Sequence, residues 1–410
     1  MRVQFPTELR MLSLDMAMSA PAPAKPNSRP RSPNFSCGPC SKHPGWSYSN
    51  LKSDSLGRSH RAKMPKERLK KVIEDSKALL ELPKDYLCGI IGGSDTGAVE
   101  CALWNLLGPR PVDAFAWEAF GKDWVTDCTK QLKPLEVRTF VAEYGQLPDL
   151  KQADPDHDIV FTWNGTAAGV IVPNGDWISD NRKGLTICDA TSSALGVPMP
   201  WNKLDVVTFS WQKVLGGEAM HGMLILSPRA VERLESNKPS WAIPKLYRIM
   251  KEGKLNRAIF EGETINTPSM MCVEDCLEAM DWARKNGGQK GMIARTQANF
   301  KMLKEWIERT PWISFLADDP AVRSPLSVSM KLADPELAKL SKDDQSAFCK
   351  KMVAMIEAEG AGYDFNSYRD APPGLRIWCG ATVEPDDIRS LTQWIDWAYA
   401  VCRAEIKVAA

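Results

Sequence analysis

Short apolar runs alternate along the chain with segments of helical periodicity, and this alternation constrains the fold more than any other feature. Runs such as Ile159–Trp163 and Val206–Phe209 are apolar apart from one threonine each, as strands buried on both faces of a sheet are. Segments such as Leu69–Leu80 instead place their apolar residues on one face of a helix. The pattern predicts an α/β fold in which a parallel or mostly parallel sheet is covered by helices on both sides. The other strand candidates in this part of the chain are Tyr86–Ile91, Val112–Trp117, Leu185–Cys188 and Met223–Leu226.

The pattern changes after residue 285, where longer helical segments surround fewer strand candidates. This arrangement is typical of a small α+β domain. We therefore predict a large domain over residues 34–285 and a smaller C-terminal α+β domain over residues 286–410. The helical segments of the smaller domain are Ile293–Glu308, Gln345–Glu359 and Pro385–Ala400, and its strand candidates are Leu326–Lys331 and Leu375–Cys379.

The first 33 residues have the composition of an unpacked tail. Prolines recur between Pro21 and Pro33 among alanine, serine, lysine and arginine, which favours extended chain without a core. Acidic residues and the lack of a long apolar stretch in this region argue against a secretory signal. We therefore predict that residues 1–33 form a disordered, proline-rich tail.

The overall composition excludes several classes of protein. The 52 basic and 51 acidic residues leave a net charge of +1, which argues against nucleic-acid binding. No apolar run reaches the ~18 residues that a membrane-spanning helix needs. The four histidines, His43, His60, His157 and His221, lie too far apart for a metal-binding motif, so we predict no metal site.

The eleven cysteines do not form the pattern of a disulfide framework. Their number is odd, and a chain of 410 residues is far larger than the secreted domains that disulfides hold together. We interpret them as reduced packing residues in a cytoplasmic protein. Cys37-Gly38-Pro39-Cys40 matches the thioredoxin redox motif, but it follows a proline- and serine-rich stretch and precedes a turn. We therefore interpret this motif as part of a loop.

Candidate site residues follow the apolar runs, because ligands bind at the carboxyl ends of the strands in open α/β sheets. Tyr86–Ile91 leads into Gly92-Gly93-Ser94-Asp95-Thr96-Gly97, a glycine-rich turn that opens a helix. Backbone N–H groups and the helix dipole make such a turn an anion site, although an ordinary capped turn has the same pattern. Asp189 directly follows the run Leu185–Cys188. A buried carboxylate there needs a partner such as the protonated ring nitrogen of a cofactor, unless it caps a turn.

A lysine and an arginine complete the set of candidates. Lys213 follows the run Val206–Phe209 and precedes Gly216-Gly217. A lysine in a partly desolvated pocket can form a Schiff base, and a surface lysine is the alternative. Arg376 lies between apolar residues of the strand candidate Leu375–Cys379. Its planar guanidinium suits a carboxylate ligand, and a solvent-facing position on the sheet is the alternative.

These candidates together describe a phosphate cradle, a carboxylate for a ring nitrogen, a Schiff-base lysine and a carboxylate-binding arginine. Such a combination is typical of a pyridoxal-phosphate enzyme. The sequence also resembles the phosphoserine aminotransferases, which are fold-type I pyridoxal-phosphate enzymes of aminotransferase class V, and looks like the subgroup common in alphaproteobacteria. The resemblance extends from about Pro33 to about Arg403. It rests on Asn34-Phe35-Ser36, Gly57–Arg61, Gly93–Gly97, Thr208–Lys213, Ile265–Ser269 and Leu375–Ile377.

The resemblance implies a large domain with a mostly parallel, seven-stranded sheet between helices, in which residues 34–60 form an N-terminal segment near the active site. It implies pyridoxal 5′-phosphate as the cofactor. Lys213 would form the Schiff base and act as the catalytic residue, and Asp189 would pair with the ring nitrogen. The other cofactor contacts implied by the resemblance are Ser94, Asp95 and Thr96 at the phosphate, Phe120 (or else Trp117) on the ring, Thr166 and Gln212.

The resemblance further implies a homodimer, because Asn266 and Thr267 would reach the cofactor phosphate of the neighbouring subunit. His60 and Arg61 would bind the phosphate or distal carboxylate of the substrate, and Arg376 its α-carboxylate. The implied reaction converts O-phospho-L-serine and 2-oxoglutarate into 3-phosphohydroxypyruvate and L-glutamate, in L-serine biosynthesis. A role with 4-phosphohydroxy-L-threonine in pyridoxine biosynthesis stays open.

The glycine-rich turn departs from the family pattern. Many phosphoserine aminotransferases carry an arginine there, whereas this chain has Ser94-Asp95-Thr96. A further cation for the substrate phosphate would then come from elsewhere, for example from Arg58 or Lys122. The alternative function is that of a serine– or alanine–glyoxylate aminotransferase of the same class. His60-Arg61 argues against it, because glyoxylate has no distal anion to bind.

Overall fold

A computed structural model describes residues 24–132 and 136–406 of the chain. It contains a seven-stranded sheet, a three-stranded sheet and two short hairpins. The helices are α1 (Lys63–Leu79), α2 (Ser94–Leu106), α3 (Ala119–Thr126), α4 (Pro228–Ser236), α5 (Met270–Lys285), α6 (Gly288–Arg309), α7 (Lys342–Ala358) and α8 (Pro385–Glu405). The strands are β1 (Leu87–Gly92), β2 (Val112–Ala116), β3 (Val137–Val141), β4 (Asp158–Thr162), β5 (Asn164–Gly165), β6 (Val170–Ile171), β7 (Thr186–Asp189), β8 (Val206–Ser210), β9 (His221–Leu226), β10 (Met250–Lys251), β11 (Lys254–Leu255), β12 (Ile313–Phe315), β13 (Ser327–Leu332) and β14 (Gly374–Trp378).

The large sheet separates two hydrophobic cores. Consecutive residues of a strand point to opposite faces, and Ile159 and Val160 of β4 accordingly belong to different cores. Leu69 of α1 packs into the first core and Ala98 of α2 into the second. Helices therefore cover both faces of the sheet, which explains why its central strands β4, β7 and β8 are buried at every position.

The strand order in the large sheet is β1-β9-β8-β7-β4-β2-β3. Neighbouring strands are parallel except at β9, which runs antiparallel to both β1 and β8. The predicted α/β fold with a seven-stranded, mostly parallel sheet is confirmed. Because β4, β7 and β8 share one direction, their carboxyl ends meet at one edge of the sheet.

One strand of the large sheet, β3, is missing from the sequence-based prediction. It is the outermost strand, and none of its five residues is fully buried. Arg138 within it forms two hydrogen bonds to the buried carboxylate of Asp113, at 2.7 and 2.6 Å. An edge strand of this kind lacks the continuous apolar run that identifies the central strands.

The smaller sheet is antiparallel, in the order β12-β13-β14. Its strands β13 and β14 correspond to the two predicted strands of the C-terminal region, and α6, α7 and α8 correspond to the three predicted helical segments. The three-residue β12 is too short to give a periodic signal. The domain boundary near residue 285 stays a prediction. Within the described ranges, no helix combines the length and apolarity that crossing a membrane requires.

Residues 24–33, which the sequence assigns to a disordered tail, lie across the C-terminal helices. The backbone N–H of Arg31 donates to Asp387 Oδ1 at 2.7 Å, and the ring N–H of Trp394 donates to the carbonyl of Ser28 at 2.7 Å. These ten residues thus show packing instead of disorder, while residues 1–23 lie outside the described part. An extended chain has no internal hydrogen bonds, so its backbone groups can pair with a folded surface. The amino-acid composition of the segment does not show whether such a surface is present.

Candidate active site

The carboxyl ends of β4, β7 and β8 and the first turn of α2 surround a cleft of about 510 Å³. This is the edge of the sheet at which ligands are expected to bind in this fold. The structure brings together in this cleft eight of the residues that the sequence predicts for the site. They are Ser94, Asp95, Thr96, Phe120, Thr166, Asp189, Gln212 and Lys213.

Lys213 lies just after β8 and is 9% exposed. Its side-chain nitrogen donates a hydrogen bond to the backbone carbonyl of Cys37 at 2.7 Å, and the N–H of Cys40 donates to the carbonyl of Gln212 at 2.8 Å. The motif from Cys37 to Cys40, interpreted as a loop, is therefore a loop that forms one wall of the cleft. Gly38 within it leaves room for the lysine, because a β-carbon there would lie 2.0 Å from Lys213 Nζ.

Asp189 is the last residue of β7, and its carboxylate is fixed from two sides. The ring N–H of Trp124 donates to Oδ2 at 3.0 Å, and the backbone N–H of Thr191 donates to Oδ1 at 2.9 Å. Each oxygen keeps a further lone pair for a ligand. The carboxylate is thus oriented and can still accept a hydrogen bond from a protonated nitrogen.

The first turn of α2 offers backbone N–H groups to the cleft. The first N–H groups of a helix have no intrahelical partner, and no side chain caps this end. The N–H of Ser94 is used by the carbonyl of Met220 at 3.1 Å, which leaves those of Asp95 and Thr96. Together with the helix dipole they form a site suited to a phosphate.

The side chain of Asp95 lies buried beside this turn. Burial raises the pKa of its carboxyl group well above the usual range, and the nearby charge of Asp189 raises it further. Two carboxyl groups in one buried site seldom ionise together. Asp95 therefore adds little negative charge to the phosphate site next to it.

The cleft contains an unusual number of buried polar atoms without a hydrogen-bond partner. Such atoms are rare in folded proteins, and several together indicate a polar ligand. Pyridoxal phosphate fits this set, because the ligand brings a phosphate, a ring nitrogen and a phenolic oxygen. The atoms on residues that line the cleft are Asp95 Oδ1, Thr162 Oγ1, Asn164 Oδ1, Thr191 Oγ1 and Gln212 Oε1.

Phe120 and Arg376 lie on the side of the cleft that faces the smaller sheet. One guanidinium nitrogen of Arg376, Nη1, donates to the carbonyl of Thr166 at 3.5 Å. The guanidinium carbon lies 5.5 Å from the ring centre of Tyr368, whose ring in turn is 5.4 Å from that of Phe120. Trp117, the alternative to Phe120, is buried behind the wall and donates to the carbonyl of Val170 at 3.2 Å.

Five predicted residues are not among those that line this cleft, namely Arg376, which bonds the lining residue Thr166, and His60, Arg61, Asn266 and Thr267. His60 and Arg61 line a separate pocket with the loop Gly262–Thr264. The side chain of His60 is buried with its Nε2 unpaired, and burial, with a smaller effect of Arg61, lowers its pKa. Asn266 and Thr267 follow the same loop, and Asn266 is held by bonds within it. The predicted site residues thus form two groups on this chain.

Some residues of the cleft are absent from the sequence-based set. Trp124 follows Phe120 by four residues in α3 and therefore shares its face, so the spacing was visible in the sequence. The others lie within a few residues of the ends of predicted strands, where ligands are expected to bind but no single residue type stands out. These additional lining residues are Trp124, Thr162, Asn164, Thr191 and Ser192.

Comparison with known proteins gives consistent matches. Residues 149–358 match the model of the family Aminotransferase class-V. Two curated relatives are phosphoserine aminotransferases of Methanosarcina barkeri and Methanosarcina mazei. Each is 54% identical to this chain, and each alignment covers 92% of this chain and 99% of the relative.

A solved structure of a phosphoserine aminotransferase from Cytophaga hutchinsonii has the same fold. It superposes with a TM-score of 0.75 at 20% sequence identity, covering 88% of this chain and 97% of that chain. The sheet order described above is therefore that of a fold-type I aminotransferase.

Proposed function

The chain belongs to the phosphoserine aminotransferases of aminotransferase class V, and from this premise we propose that it interconverts O-phospho-L-serine and 3-phosphohydroxypyruvate. The amino group passes to 2-oxoglutarate, which becomes L-glutamate, and the expected pathway is L-serine biosynthesis in the cytoplasm. The observation that carries the proposal is that Lys213, Asp189 and the free N–H groups of α2 line one cleft. A lysine, a ring-nitrogen carboxylate and a phosphate cradle are the contacts that pyridoxal phosphate needs.

The cofactor would be held at three places. Asp189 would accept a hydrogen bond from its ring nitrogen, the backbone of Asp95 and Thr96 would bind its phosphate, and Phe120 would cover its ring. Ser94, Thr166 and Gln212 would supply further polar contacts. When bound, pyridoxal phosphate supplies an electron sink that stabilises negative charge at the Cα of an amino acid.

Lys213 is the residue that moves protons in this proposal. Its nitrogen takes up the Cα proton of the amino-acid donor and later returns a proton to the carbonyl carbon of the oxo-acid acceptor. The wall formed by Cys37–Cys40 keeps bulk water from this nitrogen, which limits side reactions. The backbone carbonyl of Cys37 orients it.

The substrate anions require cationic partners. Arg376 at the edge of the cleft is suited to the α-carboxylate, which a guanidinium can bind with two hydrogen bonds. His60 and Arg61 are suited to the phosphate. Arg58 and Lys122, the alternative cations, are, like His60 and Arg61, not among the residues that line the cleft.

A homodimer with shared sites follows from this assignment. His60 and Arg61 line a pocket separate from the Lys213 cleft of their own chain, and neither Asn266 nor Thr267 is among the residues that line that cleft. We infer that a second copy places them over its partner's cleft, where they complete the phosphate-binding regions. A twofold axis would make two such sites equivalent.

The test is a single-turnover comparison of amino donors. The purified protein, loaded with pyridoxal phosphate, is mixed with phosphoserine, glutamate, serine or alanine, and the visible absorbance of the cofactor is followed. Phosphoserine and glutamate should react at least ~100-fold faster than serine and alanine, since the site pairs their distal anions. Faster reaction with serine or alanine would favour the glyoxylate-type alternative, and a protein that binds no cofactor would end the proposal. The same assay with 4-phosphohydroxy-L-threonine tests the pyridoxine branch.

A further inference from the structure

Glu118 is a buried carboxyl group that the proposed reaction does not use. Only 1% of the residue is exposed. Its Oε1 accepts a hydrogen bond from the backbone N–H of Gly121 at 2.9 Å, and its Oε2 accepts one from the N–H of Ala167 at 3.3 Å. One side chain therefore connects two segments that are 49 positions apart in the sequence.

Both connected segments carry residues that line the cleft. Gly121 belongs to the first turn of α3, which carries Phe120 and, one turn on, the Trp124 that holds Asp189. Ala167 follows Thr166. The hydroxyl of Thr166 donates a hydrogen bond to the hydroxyl oxygen of Ser192 at 2.7 Å, and its carbonyl accepts one from Arg376.

An ordinary helix cap does not account for this arrangement. Ser, Thr, Asp and Asn are the preferred residues at this position, and their short side chains would serve the N–H of Gly121 alone. The longer side chain of Glu118 also reaches Ala167. Gly165 leaves room for Glu118 as well as for Trp117, because a β-carbon there would lie 2.4 Å from Trp117 Nε1 and 3.0 Å from Glu118 Cγ.

We propose, on the basis of the function proposed above, that Glu118 is a positioning residue whose carboxylate holds the cleft-lining residues Phe120 and Thr166 at a fixed separation. The carboxylate form is required, because only two unprotonated oxygens can both accept from backbone N–H groups. A glutamine, or a protonated glutamate, keeps one good acceptor oxygen, so one of the two N–H groups loses its hydrogen bond and its segment is no longer held.

Glu118 changes its protonation state within the working pH range. Burial raises its pKa to about 7, against the opposing effect of its two backbone donors. The charged groups that face it are Asp189, which raises the pKa, and Lys213, which lowers it. The phenol of Tyr144 also faces it, and the charge of Glu118 contributes to the raised pKa of that phenol.

The experiment measures cofactor affinity without any substrate, so it does not depend on the reaction. The apoproteins of the wild type and of Glu118→Gln are titrated with pyridoxal phosphate at pH 6 and pH 8. At each pH the Kd of the variant is divided by the Kd of the wild type, and this ratio removes the effect of the ligand's own titration. We expect Glu118→Gln to bind about tenfold more weakly at pH 8, the effect of a lost hydrogen bond to a charged group, and equally well at pH 6.

Two further variants make the result decisive. Glu118→Asp keeps a good helix cap but cannot reach Ala167, so it should fold and show the same loss at pH 8. Asp127→Asn removes another carboxyl of raised pKa from the far end of the same helix, and its Kd ratio should stay near one at both pH values. The proposal would be overturned if the Kd ratio for Glu118→Gln were near one at pH 8 or were the same at both pH values. Wild-type affinity in Glu118→Asp would overturn it as well. Failure of the wild type to bind the cofactor would instead refute the function itself.

Discussion

The side-chain nitrogen of Lys213 donates a hydrogen bond to the backbone carbonyl of Cys37 across 2.7 Å, although the two residues are 176 positions apart. Cys37 belongs to the N-terminal segment, which also pairs with the smaller sheet, since the N–H of Trp378 donates to the carbonyl of Phe35 at 3.1 Å. The segment therefore links the smaller sheet to the lysine of the cleft. Its backbone, more than its side chains, determines where Lys213 can lie.

Gly38→Ala should displace this lysine. The added β-carbon would lie 2.0 Å from Lys213 Nζ and 2.9 Å from Cε, so the side chain must leave its place. A displacement of about 1 Å at a reacting group can cost ~100-fold in rate, and we expect kcat/KM for phosphoserine to fall at least tenfold. Gly45→Ala is the matched control, because Gly45 also has positive φ but nothing within 4 Å of its β-carbon position. Equal losses in both variants would attribute the effect to backbone strain alone.

Asp95 and Asp189 should respond differently to the same substitution. The pKa of Asp95 is raised by burial and by the charge of Asp189, which favours the neutral form of its carboxyl group. Asp95→Asn then changes no charge, and the Kd for pyridoxal phosphate should stay within about threefold of the wild type. Asp189→Asn removes the partner of the ring nitrogen and should raise this Kd about tenfold or more. Absorbance titration of the apoproteins measures both, and equal losses would contradict a neutral Asp95.

The sequence predicted those parts of the site that lie at strand ends. Asp189 and Lys213 follow short apolar runs whose ends the pattern locates within a few residues, and the fold then brings such ends together. The role of Glu118 was not predictable, because its partners Gly121 and Ala167 are backbone groups on different segments. The contact of Lys213 with Cys37 was not predictable for the same reason, because every residue has a backbone carbonyl whatever its type.

Arg61→Ala should reduce the use of phosphoserine more than that of an unphosphorylated donor. The guanidinium is proposed to bind the substrate phosphate, and a hydrogen bond between charged groups accounts for a ~10- to 100-fold change. We expect KM for phosphoserine to rise within this range while the single-turnover rate with alanine changes little. Arg61→Lys keeps the charge but loses the planar fork, and it should recover part of the loss. A comparable loss with both donors would remove Arg61 from phosphate binding.

Mixed dimers test whether two chains share each site. Lys213→Ala removes the proton-transferring residue, and Arg61→Ala impairs phosphate binding, so neither homodimer should use phosphoserine well. If Arg61 serves the partner's cleft, a heterodimer of the two variants has one site with both residues intact and one site with neither. Random pairing of equal amounts makes half of the dimers mixed, and half of their sites intact, so activity should recover to about a quarter of the wild-type value. If Arg61 serves its own chain, every site of the mixed dimer carries one defect, and unfolding and refolding the variants together will restore no activity beyond their average.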